Sequence, residues 1–209
     1  MASSILIVGA GGHGRVVADA ARLSGQWGKI AFIDDRYPEL VSAGSWPVIG
    51  TVAELDRLAS DWGEVVIAVG DNTTRIELLE RAKTYNLDIV SVIHPSAQIA
   101  EDVTIGEGTV VFANAVVNVG SILGNACIVN TAVTVDHDNH IGAGVHLSPG
   151  VHLAGDVGIG DCSWIGIGAV VIQGCSVGHD VMVGAGAVVT KNINSGLTVV
   201  GVPARELMK

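Results

Sequence analysis

The chain has 209 residues, 49% of them hydrophobic and only 4% aromatic, with 28 glycines and a formal net charge of −10. That length accommodates one domain or two small ones, with ample apolar residues for a core built from Val, Ile and Ala. The negative charge argues against nucleic acid and anionic membrane as partners. With no basic start and apolar run of a signal peptide, and no apolar run approaching ~18 residues, a cytoplasmic protein without membrane insertion is expected.

Ser4 to Val8 reads as a buried strand that runs into Gly9-Ala10-Gly11-Gly12-His13-Gly14 and then an Ala- and Val-rich helix over about Arg15–Leu23. Ile30–Ile33 is a second strand ending in Asp34-Asp35-Arg36, and Pro47–Gly50 a short one. Thr51 reads as the N-cap of a helix through Leu58, with Glu54 completing a capping box. Val65–Val69 is a third buried strand, followed by a helix over Thr73–Tyr85 and a last strand over Ile89–Val92. Alternating strands and helices predict a small, Rossmann-like parallel α/β domain over residues 1–93.

His94-Pro95-Ser96 marks a boundary, and residues 94–209 form the second domain. From Ile99 to Val189 every sixth residue is a branched aliphatic, sixteen in succession. Two residues before each stands a small or β-branched side chain, with Asn139 as the exception, and glycine often follows directly. A period of six is neither helical nor that of a lone strand; it is that of a hexapeptide β-helix. Three hexads make a coil of 18 residues, so about five coils are expected, with glycine admitting the turn conformations. Cys127, Cys162 and Cys175 lie within these repeats without CxxC spacing, which predicts buried free thiols.

Gly9-x-Gly11-x-x-Gly14 between strand and helix is a phosphate-cradling arrangement of backbone amides at a helix N-terminus. Asp34 lies 20 residues after Gly14, where dinucleotide folds keep a ribose-binding acid. A nicotinamide dehydrogenase and a tight turn without ligand are the competing readings; the parallel sheet is too short for two mononucleotide halves. A nucleotide diphosphate held by this loop, with Asp34 or Asp35 on base or ribose and Arg36 near a phosphate, fits better.

The second cluster is Asp136-His137-Asp138-Asn139-His140, followed by His146 and His152. Residues 18 apart stack on successive coils ~4.8 Å apart, which places Gly155 against His137. A histidine with an unperturbed pKa of ~6.5 beside a backbone amide supplies the base and the donor that acyl transfer needs. Asp138 or Asp136 would orient it. A metal site and a polar turn without chemistry are the competing readings; the stretch lacks a recognised ligand spacing, so no metal is expected. His152 falls on another face than His146, and His179 reads as surface. No Lys or Arg occurs between Lys83 and Lys191, so the phosphates of a ligand such as coenzyme A would be met by backbone amides or by Lys191, Arg205 and Lys209.

The chain resembles the hexapeptide-repeat nucleotide-sugar acetyltransferases of the PglD/NeuD group. The resemblance rests on Ile-Val-Gly-Ala-Gly-Gly-His-Gly at 7–14, Phe-Ile-Asp-Asp at 32–35, Ala-Val-Gly-Asp-Asn at 68–72, Ile-His-Pro-Ser-Ala at 93–97, Val-Asn-Thr at 129–131, Val-Asp-His-Asp at 135–138 and Gly-Val-Pro-Ala-Arg at 201–205. It implies a left-handed parallel β-helix assembled as a homotrimer, with acetyl-CoA between neighbouring helices and a UDP- or GDP-linked amino sugar on the first domain. It further implies His137 as general base, Asp138 as its carboxylate partner, Asn130 and His146 as polar site residues, and the Gly155 amide at the thioester carbonyl. Related sequences carry His-Glu where this one has His-Asp, a shorter reach. The implied activity is transfer of acetyl from acetyl-CoA to the 4-amino group of a UDP-linked 4-amino-4,6-dideoxy sugar. O-acetylation of sialic acid or another glycan, and a non-catalytic nucleotide-sugar-binding solenoid, are the alternatives.

Overall fold

The structure is a computed structural model that describes residues 3–85 and 87–207. The chain divides into two compact units after Pro95. In the first, β1 (Ser3–Val8), β2 (Trp27–Ile33), β5 (Glu64–Ile67) and β6 (Asp88–Ile89) form a parallel sheet in the order β2-β1-β5-β6. Ile5, Leu6, Ile7, Val8, Phe32, Ile33, Val65 and Val66 are wholly excluded from solvent. These apolar runs carry no alternation because α1 (Gly12–Ser24), α2 (Leu55–Trp62) and α3 (Asn72–Lys83) leave the sheet no wet face here.

Several boundaries differ from expectation. The first helix begins inside the glycine loop, at Gly12. The Pro47–Gly50 strand is replaced by a hairpin, β3 (Ser42–Ala43) with β4 (Trp46–Pro47), and only Val48 bridges to Phe32. Pro47 has no N–H to extend that bridge into a ladder. Glu54 does accept from the Thr51 amide at 2.9 Å, but the turn it closes is a 3-10 turn over Val52–Glu54, and α2 runs on to Trp62. The third buried strand stops at Ile67, short of the expected Val69.

The second unit is a β-solenoid with three parallel faces of two-residue strands. The first face stacks Val110–Val111, Ile128–Val129, His146–Leu147, Trp164–Ile165 and Met182–Val183 at a register of 18. The second face has six strands, from Gln98–Ile99 to Val188–Val189, and the third has five, from Thr104–Ile105 to Ser176–Val177. A further rung, Thr198–Val200, pairs with Met182–Val183, so the coil extends past the last regular hexad.

The glycine expectation needs correcting. The conformation that disfavours a Cβ falls three residues after each aliphatic from Ile105 to Val183: every sixth residue from Gly108 to Gly186 is left-handed, at φ of +52 to +71°. Asn114, Ala126, Ala132, Asp138, Asp156, Cys162 and Asp180 occupy it as well as glycines. The glycine directly after the aliphatic has another reason: at Gly166 a Cβ would lie 2.6 Å from the Val183 carbonyl oxygen of the next coil. Cys127 and Cys175 are buried as expected, whereas Cys162, at a left-handed turn position, is partly exposed.

Between the faces, the small corner residue is buried from Thr109 onward and often polar. Thr109, Ser121, Cys127 and Ser163 each donate to the carbonyl 15 residues ahead, at 2.7–3.1 Å. These bonds satisfy backbone acceptors that the corners leave outside the ladders.

Candidate active site

In the first unit, Gly9 donates to Ile33 O at 2.8 Å, and the chain then turns into α1 with Gly11 as an extended N-cap. The first helical bond runs from Arg15 N to Gly11 O. The amides of Gly12, His13 and Gly14 therefore lie in the first turn of the helix, at its positive dipole end. Gly14 is obligatory there because a Cβ would come within 1.9 Å of Gly9 O. Burial, reinforced by the Arg75 charge, lowers His13 to a pKa of about 4, so its imidazole is neutral near pH 7.

The acids expected on the nucleotide have internal partners. Asp34 Oδ2 accepts from the Ala10 amide at 2.8 Å, and both oxygens accept from the Arg36 guanidinium at 2.7 and 2.9 Å. The Arg36 bonds hold the Asp34 carboxyl well below the usual carboxylate range. Asp34 thus ties the glycine loop to Arg36, and Asp35 Oδ1 accepts from the Val52 amide at 2.9 Å. Arg36 remains exposed beside the loop.

His137 and Asp138 lie in the corner between the second and third faces. Asp138 takes the left-handed position, at φ +58°, and its amide donates to Val119 O of the preceding coil. That conformation folds its carboxylate back, and Oδ2 accepts from His137 Nδ1 at 2.8 Å. The one-residue spacing and the αL turn make a short aspartate long enough for the contact. With Nδ1–H committed, the neutral tautomer presents Nε2 as the acceptor. The Asp138 hydrogen bond raises the His137 pKa above its ordinary value, aided by the charges of Asp136, Asp138 and Asp156. His137 stays 54% exposed, open to a substrate.

Gly155 lies one coil beyond, as the register predicts. A Cβ on it would sit 2.3 Å from His137 Nε2, so only glycine lets the ring lie in that place. Among the described residues no hydrogen bond takes the Gly155 amide.

Asn130 and His146 form a second pair, Nδ2 to Nε2 at 3.3 Å. Both belong to the first face and the corner that follows it, so a whole face separates them from His137 within one chain. They open onto a groove of about 430 Å³ with Trp164, Ile167 and Met182. His152 is on the second face, bonded to Thr134 Oγ1 at 2.8 Å. Lys191 and Arg205 line one cleft of about 310 Å³ together with Asn192 and Asn194. Lys209 lies outside the described residues.

Three features were missed. Trp164 stacks on His146 with ring centroids 4.3 Å apart; it is 18 residues after His146, and the rule that located Gly155 also locates it. Asn139 bonds to three backbone carbonyls around the His137 turn. His179 and Asp180 repeat the His137–Asp138 geometry at 2.8 Å and φ +55°. The coil beyond them is irregular, however, and Ser195 rather than a glycine stands opposite His179: its Oγ accepts from the His179 amide at 3.2 Å. Among the described residues, no three His, Cys, Asp or Glu side chains converge as metal ligands, and no helix is long and apolar enough to cross a membrane.

Comparison with known proteins agrees with this architecture. The PglD N-terminal domain family matches residues 4–82, and the bacterial transferase hexapeptide family (six repeats) matches residues 156–191. The acetyltransferase domain of PglB from Neisseria gonorrhoeae FA1090, solved with acetyl coenzyme A, is 44% identical with a TM-score of 0.95, over 99% of this chain and 100% of that one. PerB from Caulobacter crescentus, solved with CoA and GDP-perosamine, is 35% identical with a TM-score of 0.94, over 100% of this chain and 99% of that one. A curated relative, the UDP-N-acetylbacillosamine N-acetyltransferase of Bacillus subtilis (strain 168), is 37% identical over 53% of this chain, a match that spans about half (51%) of that protein. Two-domain order, repeat register and full-length similarity coincide, and the chain belongs to the hexapeptide-repeat nucleotide-sugar acetyltransferases of the PglD/NeuD group.

Proposed function

We propose that the protein transfers acetyl from acetyl-CoA to the 4-amino group of a UDP-linked 4-amino-4,6-dideoxy sugar. The observation that carries this reading is the His137 imidazole, oriented by Asp138 and seated against Gly155. His137 Nε2 takes a proton from the amine as its nitrogen attacks the thioester carbonyl. The new C–N bond forms, the C–S bond breaks, and the proton passes to the departing thiolate. The Gly155 N–H steadies the oxyanion in between. The amides of Gly12, His13 and Gly14, with Arg36, hold the nucleotide diphosphate. Lys191 and Arg205 meet the phosphates of coenzyme A.

The separation of the two polar pairs supports a homotrimer with sites between subunits. A site that uses both takes His137 and Asp138 from one copy and Asn130 and His146 from its neighbour. The choice of UDP follows the nucleotide named for the curated relative; the PerB complex holds a GDP sugar. The test is release of CoA thiol with a panel of UDP-, GDP- and dTDP-linked 4-amino sugars. Turnover with the UDP sugar is expected, and turnover with another nucleotide alone overturns that choice. His137→Ala is expected to lower kcat by ~10²–10⁴-fold while sparing nucleotide-sugar binding; near-full turnover in this variant removes His137 as the base.

A further inference from the structure

The corner residue Asn139 departs from the repeat, and its contacts give it a use. The side chain is wholly buried. Its Nδ2 donates to Ala154 O at 3.0 Å, which is the same bond, 15 residues ahead, that Thr109, Ser121, Cys127 and Ser163 make at their corners. Unlike them it also reaches Asp136 O at 2.6 Å and His137 O at 3.2 Å within its own turn, its two N–H groups being shared among the three carbonyls. One amide group thus clamps the carbonyls on both sides of the base-bearing turn to the residue directly before Gly155. The cost is visible in the same residue: among the described residues Asn139 Oδ1 is buried without a hydrogen-bond partner, whereas the hydroxyls of Thr109, Ser121 and Ser163 accept from the amide 18 residues on. A buried unsatisfied acceptor is unfavourable and calls for compensation.

We infer that Asn139 is a positioning residue of the acetyl transfer: it fixes the His137 turn and the Gly155 coil relative to each other. The inference rests on the assignment of His137 as base. Two donors converge on Asp136 O, since Ser121 Oγ also reaches it at 2.8 Å. The backbone ties the same turn to the next coil through Asp136 N to Leu153 O at 3.0 Å and Asp156 N to His137 O at 2.9 Å, and among the described residues Asn139 adds the side-chain link to Ala154 between them. A serine or cysteine at this corner keeps the single bond to the next coil, as it does elsewhere in the solenoid, and loses the two bonds within the turn. The fold therefore tolerates the substitution while the turn loosens.

The test compares Asn139→Ser and Asn139→Cys with the unaltered protein in three measurements. Thermal unfolding is expected to move by only a few degrees. The kcat is expected to fall about tenfold or more, because small displacements of a reacting group are costly, with KM for both substrates nearly unchanged. The imidazole of His137, followed by NMR in the free protein, is expected to titrate at lower pH than in the parent, as the Asp138 contact slackens. Asp136, Asp138 and Asp156 are the charged groups that face this imidazole, and all three remain in the variants. If folded variants keep both the parental kcat and the parental His137 titration, Asn139 only fills the corner and the inference is overturned. A fall in kcat that tracks lost stability with an unmoved titration overturns it equally. Should the parent protein acetylate no nucleotide sugar, the proposed function fails, and the titration, which needs no acceptor, still decides the role of Asn139.

Discussion

At the scale of single residues, the site is a matter of which atom is left available. The Asp138 carboxylate commits Nδ1 of His137 and so exposes Nε2. The proposed base works only when neutral, and the pairing raises the pKa, so activity should climb with pH through a midpoint above ~6.5. Asp138→Asn removes the charge that favours the imidazolium. Its acid limb should shift to lower pH while the maximal kcat falls, because Nε2 is no longer held; a pH–rate profile of both proteins checks the sign. Gly155 is the second sharp residue. A Cβ 2.3 Å from Nε2 must displace the ring, so Gly155→Ala should reduce kcat by about 10²-fold with little change in melting temperature, measurable by steady-state kinetics and calorimetry.

At the scale of the repeat, two classes of glycine do different work. A Cβ on Gly166 would lie 2.6 Å from the backbone of the next coil, whereas Gly168 is left-handed, at φ +66°, with open space where a Cβ would be. Gly166→Ala should cost about 3 kcal/mol through overpacking, and Gly168→Ala about 1 kcal/mol through backbone strain alone. Denaturant unfolding of the two variants tests the order. The solenoid already accepts Ala126 and Ala132 in the left-handed position. Each donates its amide to the preceding coil, Ala126 to Glu107 O and Ala132 to Ala113 O, which offsets part of that strain. The hexad glycines were legible in the sequence, but their reason was not, because the obstruction comes from a coil 18 residues away.

At the scale of the molecule, charge and symmetry meet. The stretch between Lys83 and Lys191 carries no Lys or Arg, so among the described residues the solenoid offers a phosphate its backbone amides and the cleft of Lys191 and Arg205. The His137 pair and the Asn130 pair lie a face apart, and the proposed site joins them across two copies. His137→Ala and Asn130→Ala proteins, each nearly inactive alone, should regain roughly a quarter of the parental activity when unfolded and reassembled together in equal amounts, since one site in four then draws both intact pairs. No regain in the reassembled mixture would place the two pairs in separate roles.

The hexad repeat was enough to specify the solenoid, its 18-residue ladder and the facing of His137 and Gly155. In a regular coil, distance in space is a linear function of distance along the chain, so arithmetic suffices. The strand–glycine–helix entry to the first unit was legible too, because that turn admits few residue types. What competes for each polar group emerged from the folded packing. Asp34 and Asp35 are drawn to the Ala10 and Val52 amides and to Arg36. Asn139 clamps three carbonyls. His179 and Asp180 match the first pair in local geometry, yet past Thr190 the ladder loses its even register and brings Ser195 to them at a spacing of 16 instead of 18. Hydrogen bonds are short and directional, and a pattern in the chain cannot say which of several donors in reach will fill an acceptor; packing settles that.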